Sequence, residues 1–374
     1  MNREVVQNAR DLAEKTTGIN SDNILICATH THTGPVMRDS AVGKRDRVWE
    51  EELARKIAGT IGKAQRNATK AWMKIGVGKE NRCVFNRRYR MKDGTVATIP
   101  WRDDNRDVLE PRGPIDPEVG VIALEDLEGG LLSVLVNYAN HCDTVEGNML
   151  SADYPGWLGE VIRRAKGGSV VTIFTAGAQG DIMHVDATAK GGPVGYEAAK
   201  YVGNVLSEVV LETLEASKRV PCRLRTARRT ISLPIRQFSE QEVEEARRTA
   251  KRWFADRFDR IYAKRILSMA VMKEKTIETE IQAVALNNTV LVGVPGEMFV
   301  ELGLAIKTRS PFRHTFIVGL ANDQVPGYIV TSQAYEDSPS RRGIHNYEAQ
   351  TTALAKGSGE RVMEEVLRLL TSLA

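Results

Sequence analysis

The chain has 374 residues, 42% hydrophobic and 27% charged, and its 52 basic and 48 acidic side chains leave a formal charge of +4. That composition suits a globular chain able to bury a large core, and no long basic stripe with interleaved aromatics points to a nucleic-acid partner. No run approaches the ~18 apolar residues that cross a bilayer, and Cys27, Cys83, Cys142 and Cys222 form no CxxC pair, which argues against a sulfur-only zinc site and for reduced thiols in a cytoplasmic protein.

Val5, Val6, Ala9, Leu12 and Ala13 recur at helical spacing and predict a helix over 3–16, stopped by Gly18, without the character of an export signal. The apolar run 23–28 reads as a buried strand feeding the histidines. A second amphipathic helix spans 46–66, and 70–89 holds two strands broken near 78–81. Strands over 119–124 and 131–138 flank a turn at 126–130, and the second ends at Asn140-His141. A helix over 154–166 has Pro155 in its first turn. A strand over 169–175 runs into AGAQGD, followed by a helix over 194–216 and a strand over 223–233. The stretch 239–273 is helical and heavily charged, opens with Ser239 and Glu242 at capping-box spacing, and reads as a charged insertion over 235–275. Strands 279–286 and 289–294 flank Asn287-Asn288. Pro295-Gly296-Glu297, a helix to about 307, a strand over 314–319 and a helix over 359–373 complete the chain. Strands alternating with helices, with no repeat or linker, predict one α/β domain over 1–374, its mixed sheets flanked by helices.

Several predicted strands end in a Gly- or Pro-marked turn that bears a polar side chain: His30, His141, Asp181 and Glu297. Strand-end loops are where α/β folds gather ligand and catalytic groups, so these four are expected to converge. In His30-Thr31-His32 extended backbone would turn both imidazoles to one side, which suits a zinc site of His and carboxylate donors but equally suits two histidines capping local backbone. His141 has Asp143 and Glu146 nearby as carboxylate partners for its ring. Cys142 offers a thiol nucleophile as a competing idea, although catalytic Cys–His pairs meet through the fold rather than as chain neighbours. Singly, Glu297 reads equally as a first-turn helix acid, Asp181 as a turn carboxylate and Tyr328 as a strand aromatic.

Taken in order, ATHTHTGP (28–35), FNRRY (85–89), NYANHCD (137–143), GAQGDIMH (177–184), VPGEMF (294–299), GYIVTSQAYE (327–336) and HNYEA (345–349) resemble the neutral ceramidase family, over most of the chain from about residue 20. The resemblance implies zinc held by His30, His141, Glu297 and Tyr328. It implies His32 facing the substrate or the metal-activated water, Arg87 with Tyr335 or Tyr347 holding the scissile amide, and Asp181 in the loop beneath the metal. The implied activity is zinc-dependent hydrolysis of an N-acyl bond in a small or lipid-like substrate. A metal-dependent esterase or lactonase and a non-catalytic ligand-binding relative are the alternatives. Met183 stands where the family has a serine, and it is expected to reshape the pocket wall. Set beside that family, this sequence is expected to lack the immunoglobulin-like C-terminal domain of long ceramidases, and its N-terminal segment, where the family has an opening strand, is expected to be incomplete.

Overall fold

The computed structural model describes residues 2–37, 39, 43–100, 106–189, 192–323, 325, 327–339 and 344–374. Two sheets form its centre. In the first, the strands run in the order Arg219–Val220, Trp72–Lys79, Glu118–Glu125, Leu131–Tyr138 and Val171–Ala176. In the second, they run Leu224–Pro234, Thr276–Leu286, Thr289–Gly293 and His314–Val318. Each sheet is antiparallel except for its last pair, which is parallel.

Side-chain alternation along these strands explains the layering. Ile75, Ile122 and Leu135 from the first sheet meet Leu291 and Phe316 from the second in one apolar layer. Gly120 is required there, because a Cβ would lie 2.5 Å from the Phe316 ring. The opposite face of the first sheet, with Val119, Val121, Val134 and Val136, packs beneath helices Asp153–Lys166 and Gly195–Ala216. The opposite face of the second, with Ala283, Ala285, Val290 and Val292, packs beneath helices Val300–Arg309 and Ser358–Leu373. The result is helix, sheet, sheet, helix, an α/β architecture as expected from the alternating pattern.

The parallel pairs position the site. Leu131–Tyr138, Val171–Ala176, Thr289–Gly293 and His314–Val318 release their chains at one end of the two-sheet stack. Backbone bonds from Gly177 to the Tyr138 carbonyl and from Gly319 to the Ala176 carbonyl, both 2.8 Å, stitch those ends together. The Asn137 amide donates to the Ile317 carbonyl at 2.7 Å and ties one sheet to the other just before the exit.

Several expectations need correction. The segment 23–28 is not a strand. A 3₁₀ turn, Ser21–Asn23, leads into it, and within it Cys27 makes an isolated bridge to Ala321. The Asn322 side chain accepts from the Ile26 N–H at 2.9 Å, so a side chain takes the place of a ladder partner. The stretch 239–273 is two helices, Glu240–Lys251 and Arg257–Ala270, because Asp256 caps a new N-terminus by accepting from the Phe258 N–H; the capping box of Ser239 and Glu242 is present. A small sheet of Ile344–His345, Val96–Thr98, Arg88–Met91 and Val108–Pro111 was not anticipated, since none of its strands exceeds four residues. Among the described residues no helix is long and apolar enough to cross a membrane.

Candidate metal centre

His141 lies three residues beyond strand Leu131–Tyr138. Its Nδ1 faces the Ile182 carbonyl at 2.8 Å and therefore carries the proton, which leaves Nε2 as a bare donor atom for a cation. The carboxylate partners expected from the sequence are not used for this: Asp143 pairs instead with His184 Nδ1 at 3.2 Å. His141 Nε2 points at Glu297 Oε2, 3.2 Å away, and His30 Nε2 approaches the same oxygen at 3.1 Å. His30 adopts a left-handed backbone, φ 68°, that turns its ring toward this point. His32 Nε2 lies 3.3 Å from His30 Nε2, and the His32 backbone N–H donates to the Cys142 carbonyl at 3.2 Å, tying the histidine loop to the segment after the 131–138 strand. Ligand atoms of all three imidazoles lie within 4.8 Å of one another.

Glu297 does not open a helix. It sits in a two-residue strand, Glu297–Met298, that pairs in parallel with Tyr328–Ile329 so that Glu297 and Tyr328 are direct register partners. Two residues 31 apart in sequence (328 minus 297) thus enter the site side by side. The AGAQGD turn packs against this strand so closely that a Cβ on Gly180 would lie 2.5 Å from the Glu297 carbonyl oxygen.

Arg87 is buried beneath these groups. Nε bonds Glu348 Oε1 at 2.8 Å, Nη2 donates to the Tyr328 hydroxyl at 3.1 Å, and Nη1 lies 3.3 Å from His141 Nε2. Glu348, fully buried, also accepts from Thr98 Oγ1 at 2.8 Å. Asp181 is buried: its carboxylate accepts from the Val300 N–H at 2.8 Å and from the Asn86 amide at 3.0 Å, and its carbonyl accepts from the Arg87 N–H at 2.8 Å. It positions the Arg87 and Glu297 segments relative to each other.

The charges agree with this geometry. Burial raises the cost of ionising Glu297, yet His30 and His141 hold its pKa well below the carboxylate range. Burial lowers the His30 pKa, but Glu297 outweighs it and the net shift is upward. Burial and then repulsion from His30 and His141 push His32 down to about 4. Burial raises Asp181 to about 6 in spite of its bonds. Cys142 is fully buried and does not line the cavity, and burial drives its pKa well above the thiol range, which argues against the nucleophile alternative. A buried carboxylate faced by imidazole nitrogens, one of them unprotonated, is a place where a cation can be held. That donor set is the one zinc takes, so the residues present fit a divalent cation.

A cavity of about 340 Å³ opens over this point, lined by His30, His32, Arg265, Glu297, Gly327, Tyr328, Tyr347 and Thr351. Tyr347 and Tyr328 meet edge to face at 5.9 Å. Tyr335 is not in this wall; its hydroxyl donates to the Leu354 carbonyl at 2.6 Å. Met183 is also outside the wall, buried in a short ladder opposite Phe85, so the wall is not reshaped by it as expected. Two larger hollows, about 780 and 810 Å³, are lined by none of the residues of this centre. Glu348, Thr98, Asn86 and Arg265 were not anticipated. The adjacent Arg87-Arg88 pair was the available signal for Glu348, since two buried guanidiniums require an acid.

No protein-family model and no curated protein matches the chain. Solved structures do. The neutral ceramidase from Pseudomonas aeruginosa superposes with a TM-score of 0.75 at 16% identity, over 100% of this chain and 64% of that one. The chain has the fold of a neutral ceramidase. A ceramidase complexed with C2 gives a TM-score of 0.73 at 15% identity, over 100% of this chain and 65% of that one. The chain therefore spans under two thirds of the length of these ceramidases, and at this identity the likeness concerns the fold.

Proposed function

We propose that the chain is a zinc-dependent hydrolase that cleaves an N-acyl (amide) bond, with His30, His141, Glu297 and Tyr328 holding the metal. The observation that carries this reading is the approach of two imidazole Nε2 atoms to one Glu297 carboxylate oxygen at the floor of a cavity, in a chain with the ceramidase fold. When bound, zinc supplies Lewis-acid polarisation of the acyl carbonyl and a water acidified toward neutral pH.

The chain's own groups do the rest. Arg87 donates to the Tyr328 hydroxyl from below and fixes that side chain, while the Ile182 carbonyl fixes His141 through Nδ1. Tyr347, on the wall, keeps its proton because burial and then Glu297 raise its pKa, so its hydroxyl is a donor for the acyl oxygen; one such donor is typically worth about 3 kcal/mol in the transition state. His32 is neutral at neutral pH, and a ring nitrogen can accept a proton and pass it to the leaving amine. Asp181 acts through the backbone it binds and touches no substrate.

The test is turnover of a panel of short N-acyl amides and matched esters by the purified chain. Amide hydrolysis abolished by a chelator and restored by zinc is expected. Turnover of esters alone would overturn the amidase reading, and turnover unaffected by the chelator would overturn the metal.

A further inference from the structure

Resting on the metal reading, a buried polar network outside the centre explains how His30 is held there. The segment 24–28 delivers the histidine loop, yet no strand ladder fixes it. Asn322 takes the place of one. Its backbone N–H donates to the Ile26 carbonyl at 2.6 Å, and its side-chain oxygen accepts from the Ile26 N–H at 2.9 Å. Two residues earlier, the Leu320 carbonyl accepts from the Ala28 N–H at 3.3 Å. Asn322 holds a left-handed backbone, φ 59°, which asparagine tolerates better than most residues.

Asn322 is itself fixed from behind. Its amide donates to Gln282 Oε1 at 2.7 Å, and Gln282 Nε2 donates to the Asp22 carbonyl at 2.8 Å. Arg10, from helix Arg3–Thr17, reaches the same Gln282 oxygen with Nη2 at 3.0 Å and the Ile24 carbonyl with Nε at 2.9 Å. Glu280, 2.7 Å from Arg10, balances its charge. The carbonyls of three alternate residues, Asp22, Ile24 and Ile26, are thus all taken by this network. Arg10, Gln282 and Asn322 are buried, so a lost partner there leaves a polar group unpaired. None of the three lines the cavity. We propose that Asn322, Gln282 and Arg10 are positioning residues that set His30 for the metal by fixing the 22–28 backbone. His141 is placed independently, by the 131–138 strand and the Ile182 carbonyl.

The experiment compares Asn322→Gly and Arg10→Lys with Ile162→Ala, a core substitution in helix Asp153–Lys166. Glycine keeps the left-handed backbone and its N–H bond and removes only the side-chain bonds. Zinc affinity of the full chain is measured by competition with a chromophoric chelator, well below the unfolding midpoint, alongside amide hydrogen exchange of the metal-free chain. Loss of an outer partner of a metal ligand typically weakens binding by about 10–100-fold. Roughly ten-fold weaker zinc binding is expected in Asn322→Gly, with a smaller loss in Arg10→Lys. In both metal-free variants exchange should quicken over 24–30 and not over 137–143. Ile162→Ala should lower the unfolding midpoint and keep its zinc affinity, as any merely structural change would. Zinc affinity in Asn322→Gly that matches the wild type or falls no further than in Ile162→Ala would overturn the proposal. So would exchange that quickens equally in the two segments. The two readings fail separately. A wild-type chain that takes up no zinc removes the metal reading, and the exchange contrast then decides whether the network holds His30.

Discussion

The floor of the cavity and its rim are built on different principles. The floor is assembled from segments far apart in the chain, each held by buried bonds: His141 to Ile182, Arg87 to Glu348 and Tyr328, Asp181 to Val300. Little can move there without leaving a buried polar group unpaired. The rim includes Arg265, half-buried on a helix with few buried residues, its Nε donating to the Thr351 carbonyl. The contrast is between a floor tied together by buried bonds and a rim partly open to solvent.

Substitutions can break this contrast. The largest effect on stability is expected at Glu348, whose replacement by alanine leaves Arg87 and Thr98 without their buried acceptor. Removing one partner of a buried pair costs about 3–5 kcal/mol, whereas Arg265→Gln on the rim should stay within about 1 kcal/mol. Denaturant unfolding of both variants checks this, and similar losses in the two would erase the distinction between floor and rim.

A smaller, pH-dependent effect is expected at Asp181. Its folded pKa of about 6 lies above the ordinary 3.8, so the folded chain holds this proton more tightly than the unfolded one. The resulting stability is fully present below pH 3.8 and is lost as pH rises through about 6. In metal-free protein, the stability of the wild type relative to Asp181→Asn should fall by up to about 3 kcal/mol between pH 4 and 7. A difference that is flat with pH, or that grows as pH rises, would contradict the assignment.

Much of the frame was legible because it rests on local pattern. The apolar run of 131–138 and its turn to the neighbouring strand read directly as a hairpin, and the capping box at Ser239 marked a helix start that the structure contains. Tertiary bonds hid the rest. The 23–28 segment has strand-like composition, but Asn322 supplies its partner from nearly 300 residues away. The helical periodicity after Ser239 runs on through 252–256, and only Asp256, as a cap, divides it. At the site, the motifs brought His30, His32, His141, Glu297, Tyr328 and Tyr347 to attention, and the structure brings these around one cavity or its floor. Tyr335 could not be told from Tyr347 by sequence, since the difference is whether the hydroxyl finds the Leu354 carbonyl. Arg265 was one arginine among many in a charged helix, and nothing local distinguishes the one that faces the cavity.

The most direct test of the central claim is the metal content of the purified chain, measured by mass spectrometry after dialysis, for the wild type, His30→Ala, His141→Ala and Glu297→Ala. The account predicts about one zinc per wild-type chain. It predicts loss of that zinc in each variant while far-UV circular dichroism shows the fold retained. Zinc bound at full stoichiometry in His30→Ala and His141→Ala, or no zinc retained by the wild type after loading, would contradict it.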